Sequence, residues 1–208
     1  MFFIRSGQGL ENALTLLPGV IAITILFGTT SMLAVTVTFE KKNHSFERLL
    51  LAPISLELLM LAKTGGAILF GVANSFIPII LAYFLADLSQ IIWSTVITAI
   101  VLIAISSTFL GLFIAVSVEE VFEAQTFSNF FRFPMIFLSG LFFPISAIPA
   151  FIRPLSYLFP LTYGVDILHG AIRGENTMYL FLDFAVIIGF CLVLFYISLR
   201  NIYRNWII

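Results

Sequence analysis

"FEKKNHSFERLL", residues 39–50, is a charged island in a chain of 208 residues that is 61% hydrophobic and only 10% charged. It gathers Glu40, Lys41, Lys42, Glu47 and Arg48 between two long apolar stretches. Ala13 to Phe39 before it carries no charge, and neither does Thr64 to Ala86 after it. Each stretch exceeds the roughly 20 apolar residues that a helix needs to cross a hydrocarbon core. The island is therefore read as the polar connection between two membrane spans.

The bulk composition agrees. With 24 phenylalanines and a mean hydropathy of +1.12, there is too little polar surface to coat a soluble fold. Further charge-free runs cover Leu88 to Val118, Phe133 to Ile152 and Phe184 to Leu199. The expected fold is a single all-α polytopic membrane domain over 1–208 with about five spans, roughly 14–39, 58–86, 91–117, 128–145 and 179–199, the last two less regular. The apolar run behind Met1 to Glu11 is too long for a signal peptide and lacks a small-residue cleavage site, so it reads as a true span. A net charge of −1 argues against nucleic acid. Cys191 is a single cysteine, which excludes an internal disulfide and suits a small apolar filler.

Lysines and arginines set the orientation. With the first and third connections and the tail in the cytoplasm, that side holds Lys41, Lys42, Arg48, Arg132, Arg200 and Arg204, against Arg5, Arg153 and Arg173 outside. The positive-inside rule favours this choice. Five spans then leave Met1 outside, and the commoner even-numbered plan leads to the expectation of one further span upstream.

Within the island, Ser45 suits an N-cap, Glu47 suits the positive end of a helix dipole, and Phe46, Leu49 and Leu50 share one face. Pro53 ends the pattern. Such a short amphipathic helix fits two jobs: lying among anionic headgroups, with Lys41, Lys42 and Arg48 on the lipid, or docking a cytoplasmic partner, with Phe46 and the leucines as anchors.

Three stretches resemble the type-2 permease family of ATP-binding-cassette (ABC) exporters, and together they cover nearly the whole chain. "FEKKNHSFERLLLAPISLELLMLAK" resembles the segment after that family's second span, through Glu40, Lys41, Glu47, Arg48, Leu49, Pro53, Ile54, Ser55, Glu57 and Lys63. "LLPGV" at Leu16 to Val20 looks like the entry to the second span. "FPMIFLSGLFFPISAIPAFIRPLSYLFPLTYGVDILHGAIRG", Phe133 to Gly174, resembles the fifth span and the external re-entrant helices. The family's first span has no counterpart, in keeping with the parity of spans. His44-Ser45 replaces a usual Gly-Thr pair, and His169 sits where an Arg often follows the Asp, so no role for a cation is carried over to that position.

The resemblance implies a cell-membrane, multi-pass permease subunit of an exporter, paired with a second permease subunit, identical or related. Each subunit would grip an ATP-binding subunit on a separate chain. Segment 40–57 would be the coupling segment, with Glu40, Lys41, Phe46, Glu47, Arg48 and Leu49 on the docking surface. ATP and Mg would belong to the partner, with no cofactor, metal or catalytic residue in this chain. Segment 146–175 would cap the external end of the pathway.

The prolines support a broken segment there. Pro134, Pro144, Pro149, Pro154 and Pro160 exclude one straight helix, and irregular backbone at membrane depth survives only inside protein or beside a water-filled cavity. Two short helices are expected, roughly Ala147 to Tyr157 and Leu161 to Ile172, with Tyr163, Arg153 and Asp166 in this region. The two charges fit either headgroups or the pathway. In the spans, Ala67, Gly71 and Ser75, and Ser107, Gly111 and Ala115, recur at i+4, a spacing of small residues that lets helices approach in lipid. Asn74, Ser75 and Ser106 are weaker candidates for lining a path. Lys63 fits a functional intramembrane charge or one snorkelling to the interface, and Asp183 has the same two readings at the outer face.

No nucleotide-binding glycine loop occurs, and His44 and His169 lie too far apart to share a metal. Two other classes remain open: a secondary transporter or channel without an ATPase, for which an internal repeat is expected but not visible, and a membrane scaffold. The substrate is not legible in an apolar wall.

Overall fold

The computed structural model describes residues 7–45, 48, 51, 53–86, 88–142, 144–174 and 178–205. Seven α-helices and one 3-10 turn make up the regular structure among them, with no strand: α1 Gly7–Lys42, α2 Leu56–Leu85, α3 Trp93–Ser117, α4 Val121–Leu138, α5 Arg153–Ser156, α6 Pro160–Arg173 and α7 Leu180–Asn205. The 3-10 turn, Ile145–Ala147, precedes α5.

Four of these, α1, α2, α3 and α7, are long and apolar enough to cross a membrane. α3 is apolar all round, the pattern of a helix with no solvated face, and it packs against α1, α2, α6 and α7. Its most apolar window is 78% buried, against 22% for α2 and 17% for α7. The outer helices instead present large side chains outward, such as Phe76, Ile80 and Phe84 on α2 and Leu192 and Tyr196 on α7. These suit lipid tails, which are as apolar as the side chains themselves.

α4 differs from the span expected over 128–145. Glu120 and Glu123 form a capping box that starts the helix at Val121. Gly140, at φ 78°, turns the chain just after its end at Leu138. At about 1.5 Å per residue its 18 residues cover roughly 27 Å. Glu123 and Arg132 keep it out of the set of four helices apolar enough to cross. Arg132, counted with the third connection on sequence grounds, is instead fully buried on α4. The balance of basic residues between the two sides keeps its sign without it.

The proline-rich segment is broken as expected. Its second helix, α6, runs one residue beyond the expected bounds at each end, with Pro160 in its first turn and Gly174 at φ 72° closing it. The first is shorter than expected, a 3-10 turn and then the four residues of α5. Pro149 and Pro154 lack the N–H that a continuous helix over 147–157 would need.

Small residues set the spacing of the inner helices. A Cβ on Gly111 would lie 2.9 Å from the Thr30 carbonyl oxygen and 3.1 Å from its Cα, both backbone atoms of α1. Thr30 Oγ1 donates to the Ser107 carbonyl at 3.1 Å across the same contact. A Cβ on Gly71 would lie 2.1 Å from Thr29 Cγ2. Ala67, Ser75, Ser107 and Ala115 are buried beside them. Gly111→Ala is expected to destabilise the fold by about 1–3 kcal/mol, since the backbone it meets cannot rotate away. Gly189→Ala on α7, where a Cβ meets nothing, is expected to stabilise by about 0.5–1 kcal/mol through helix propensity alone. Detergent-unfolding midpoints of the two variants test the pair, and equal shifts would contradict this packing.

Candidate functional site

The helices carry polar groups to two poles. α1 runs from Thr15 at one to Lys42 at the other, roughly 40 Å apart at 1.5 Å per residue.

At the Lys42 pole, α1 ends beside the start of α2. Lys63 of α2 donates a short hydrogen bond to Glu40 of α1, and both are largely buried. A small cavity of about 90 Å³, lined by Thr36, Val37 and Ala67 among others, adjoins the pair. Lys42 Nζ meets Glu120 Oε2 at 2.5 Å, tying α1 to the N-cap of α4. Tyr203 of α7 donates to Glu57 in the first turn of α2, and Ser55 Oγ caps that turn by accepting from Leu58 N at 3.3 Å. The ends of α1, α2, α4 and α7 are thus cross-linked around the root of segment 43–55.

That segment leaves α1 through His44, whose φ of 55° is left-handed. A side chain is strained there and glycine is not, which accounts for the glycine usual at this place in the sequences it resembles. Arg48 is exposed and helical. Phe46, Glu47 and Leu49, named on sequence grounds as docking residues, lie outside the described residues, as does Leu50. Glu40 and Lys41 belong to the last turns of α1.

At the Thr15 pole, the segment that holds the 3-10 turn, α5 and α6 borders a cavity of about 410 Å³. Arg153 Nη2 donates to the carbonyls of Ser146 and Ile148 at 2.9 and 3.1 Å, closing the segment on itself. Thr162 Oγ1 donates to Ser156 O at 2.5 Å and lies 3.2 Å from Ser139 Oγ. Tyr163 Oη donates to Tyr157 O at 2.8 Å. Burial, and then the nearby Asp183 and Tyr157, push the Tyr163 phenol above its ordinary value, so it remains a neutral donor. Pro144 and Asp166 line the cavity, while Arg153, Tyr163 and Pro160 brace the segment beside it. Asp166 Oδ2 accepts from Met178 N at 2.9 Å.

Two charges differ from their reading in the sequence, where Arg132 was counted with the third connection and Asp183 had two readings at the outer face: both are fully buried. Asp183, at the start of α7, is fully buried beside Asp166, and neither of its oxygens meets a hydrogen-bond donor among the described residues. Arg132 lies mid-bundle: it donates to Ser31 Oγ at 2.7 Å and Asn129 Oδ1 at 3.2 Å, and its guanidinium stands 4.9 Å from the centre of the Phe27 ring. The one available signal for Arg132 was its place among aromatic residues in "FSNFFRF". Asn74 packs near Gly28, between α2 and α1. Among the described residues no group of three metal-ligating side chains occurs.

The Glu40–Lys63 pair is the inner of the charged contacts, and breaking one partner strands the other in a largely dry site. Lys63→Met is expected to cost about 1–3 kcal/mol, between the ranges for exposed and buried pairs. Adding Glu40→Gln should restore most of that loss in a double-mutant cycle. Additive single effects would show that the two side chains do not interact.

Comparison with known proteins gives a consistent picture. The family model described as ABC-2 type transporter matches residues 1–172. The "Inner membrane transport permease YadH" of Escherichia coli strain K12 is 24% identical over 190 residues, covering 91% of this chain and 74% of the relative. The protein of the same name from Shigella flexneri matches with the same figures.

Proposed function

This chain belongs to the ABC-2 type transporter family, a membrane transport permease, and on that premise we propose that it is the membrane subunit of an ABC exporter driven by a separate ATP-binding subunit. Segment 43–55 is the handle on which the ATPase pulls, at the cytoplasmic pole. The observation that carries this reading is the bracing of the segment's root: Glu40 to Lys63, Lys42 to Glu120 and Glu57 to Tyr203 link it to four helices. A force applied to a floppy loop would be lost, whereas one applied here is distributed to the bundle.

Two permease subunits pair across the membrane, and each engages one ATPase. ATP and Mg bind to the ATPases, which close on one another, and the handle follows. The helices then rock and open the path between subunits outward. Binding shifts such an equilibrium only through a difference in affinity between the two states, so Glu40, Lys41, Phe46, Glu47, Arg48 and Leu49 change their contacts with the ATPase during the cycle. The relatives' name, an inner-membrane transport permease, supports placement in the cell membrane.

Phe46→Asp puts a charge at the anchor of the proposed docking surface. It is expected to lower co-purification of an ATP-binding-cassette subunit encoded beside this gene by tenfold or more, a loss of about 1.4 kcal/mol or greater. Undiminished co-purification, with ATPase stimulation intact, would remove the handle from the mechanism. Gradient-driven transport by the purified chain alone, without ATP, would favour a secondary transporter.

A further inference from the structure

Asp183 is the first charged residue of α7, with none after it until Arg200, and the permease mechanism makes no use of it. Its side chain is fully buried, and neither carboxylate oxygen meets a hydrogen-bond donor among the described residues. What it does meet is the carboxyl group of Asp166, in hydrogen-bond contact where α6 packs on α7. An ionised carboxylate only accepts hydrogen bonds, so two of them cannot make this contact unaided, and their like charges repel strongly in a dry site. A proton between the two turns the same contact into a donor and an acceptor.

The surroundings decide which residue carries it. Asp166 Oδ2 accepts from Met178 N at 2.9 Å, and Asp166 has a further interaction within the chain. Hydrogen bonds donated to a carboxylate favour its charged form. Asp183 has no such donor among the described residues, so the proton rests mainly on Asp183 and is donated to Asp166. On α6, Tyr163 lies near Asp183, and His169 and Arg173, each engaged within the chain, share the cavity lining with Asp166. Tyr157, at the end of α5, accepts from the Tyr163 hydroxyl through its carbonyl. Thr15 of α1 and Ser139 after α4 are neutral neighbours in the cavity, and α3, packed on both α6 and α7, has no charged residue. A cation paired with Asp166 on its cavity side steadies the Asp166 anion and leaves Asp183 facing the same acceptor.

We propose that Asp183 and Asp166 form a buried proton-binding site, in which one shared proton ties α7 to α6 at the Thr15 pole. Asp166 is 5% exposed and lines the cavity of about 410 Å³, so the proton reaches Asp183 by way of Asp166 and the cavity. Binding takes up one proton from water and makes one hydrogen bond. Release returns that proton to water and leaves two buried carboxylates in contact, whose repulsion parts α6 from α7. Neither step involves a partner subunit or a nucleotide, so the site goes beyond the permease reading and does not rest on it.

Infrared spectroscopy of the full chain in detergent reads the proton directly, because a protonated carboxyl and a carboxylate have well-separated stretching bands. The measurement is made at about pH 7, where an ordinary aspartate is ionised. Wild type minus Asp183→Asn is expected to show the protonated-carboxyl band of a single group, since the amide replaces the shared proton with a permanent donor. A difference spectrum without that band overturns the proposal, whether both carboxylates are ionised in the wild type or the band persists in the variant.

The unfolding midpoint in detergent is a second readout. The folded chain keeps one proton that the unfolded chain gives up above about pH 4, so wild-type stability falls as the pH rises. Asp183→Asn has no such proton to keep. From about pH 5 to about pH 9 the wild-type midpoint is expected to drop by roughly 6 °C more than that of the variant. His169, Tyr163 and the other titrating groups are common to both proteins and cancel in the comparison. Parallel curves overturn the proposal. Asp183→Leu, similar in shape but without a donor, is expected to unfold at a lower temperature than Asp183→Asn. Equal midpoints for these two would show that the contact does not tie α6 to α7, and would overturn the proposal as well. No ATPase enters any of these measurements, so their failure leaves the exporter reading untouched.

Discussion

The contact of α1 on α3, backbone against backbone at Gly111, is the constraint from which the rest of the molecule follows. In lipid there is no hydrophobic force to draw helices together, so close packing and hydrogen bonds between them must do it. Gly111 lets the Thr30 backbone come within reach, and Thr30 Oγ1 then donates to the Ser107 carbonyl. With α3 held against α1, α2 and α7 have a surface to lie on, and α6 fits between α1, α3 and α7. Each later contact assumes this one.

The same lack of water governs the polar groups. Arg132 is fully buried, and among the described residues its guanidinium is satisfied in part by Ser31, Asn129 and the face of Phe27 rather than by a carboxylate. A guanidinium spreads its charge over a planar fork and stacks on rings, so it tolerates this position better than an ammonium would. It holds α4, which is not among the helices apolar enough to cross, against α1. The cavity at the Thr15 pole sits where α4 has ended and the chain turns at Gly140, with Ser139, Gly140 and Leu141 in its lining.

Much of this was legible in the sequence, for identifiable reasons. The all-α polytopic class follows from charge-free runs long enough to cross a bilayer, and the family follows from motifs that this chain keeps nearly intact. Spacing at i+4 singled out Gly71 and Gly111, since small residues at that interval have few other uses in lipid. His44 drew notice as a departure from a usual glycine, and its left-handed backbone gives the reason. The start of α4 was misjudged because charge-free runs were weighed and the Glu120–Glu123 capping box was not. Asp183 was ambiguous, and Arg132 was placed in a connection rather than in a helix, because their burial depends on helices far away in the chain. No local pattern announces that Asp183 of α7 will face Asp166 of α6.

α1 joins the two poles, and this has a mechanical consequence. Glu40 and Lys42 near its C-terminal end are tied to α2 and α4, while Thr15 and Leu16 near its other end form part of the cavity wall. A helix transmits axial displacement with little loss, because each of its hydrogen bonds must stretch for it to lengthen. Pro18, inside α1 and close to the cavity, removes one of those bonds. The helix is therefore stiffer toward Lys42 and more compliant where it meets the cavity. Movement of the Lys42 pole would reach the far end as a bend at Pro18, which changes the wall at Thr15 and Leu16 while the α1–α3 contact at Thr30 stays closed. A coupling of this kind separates the part of the fold that must hold from the part that must yield.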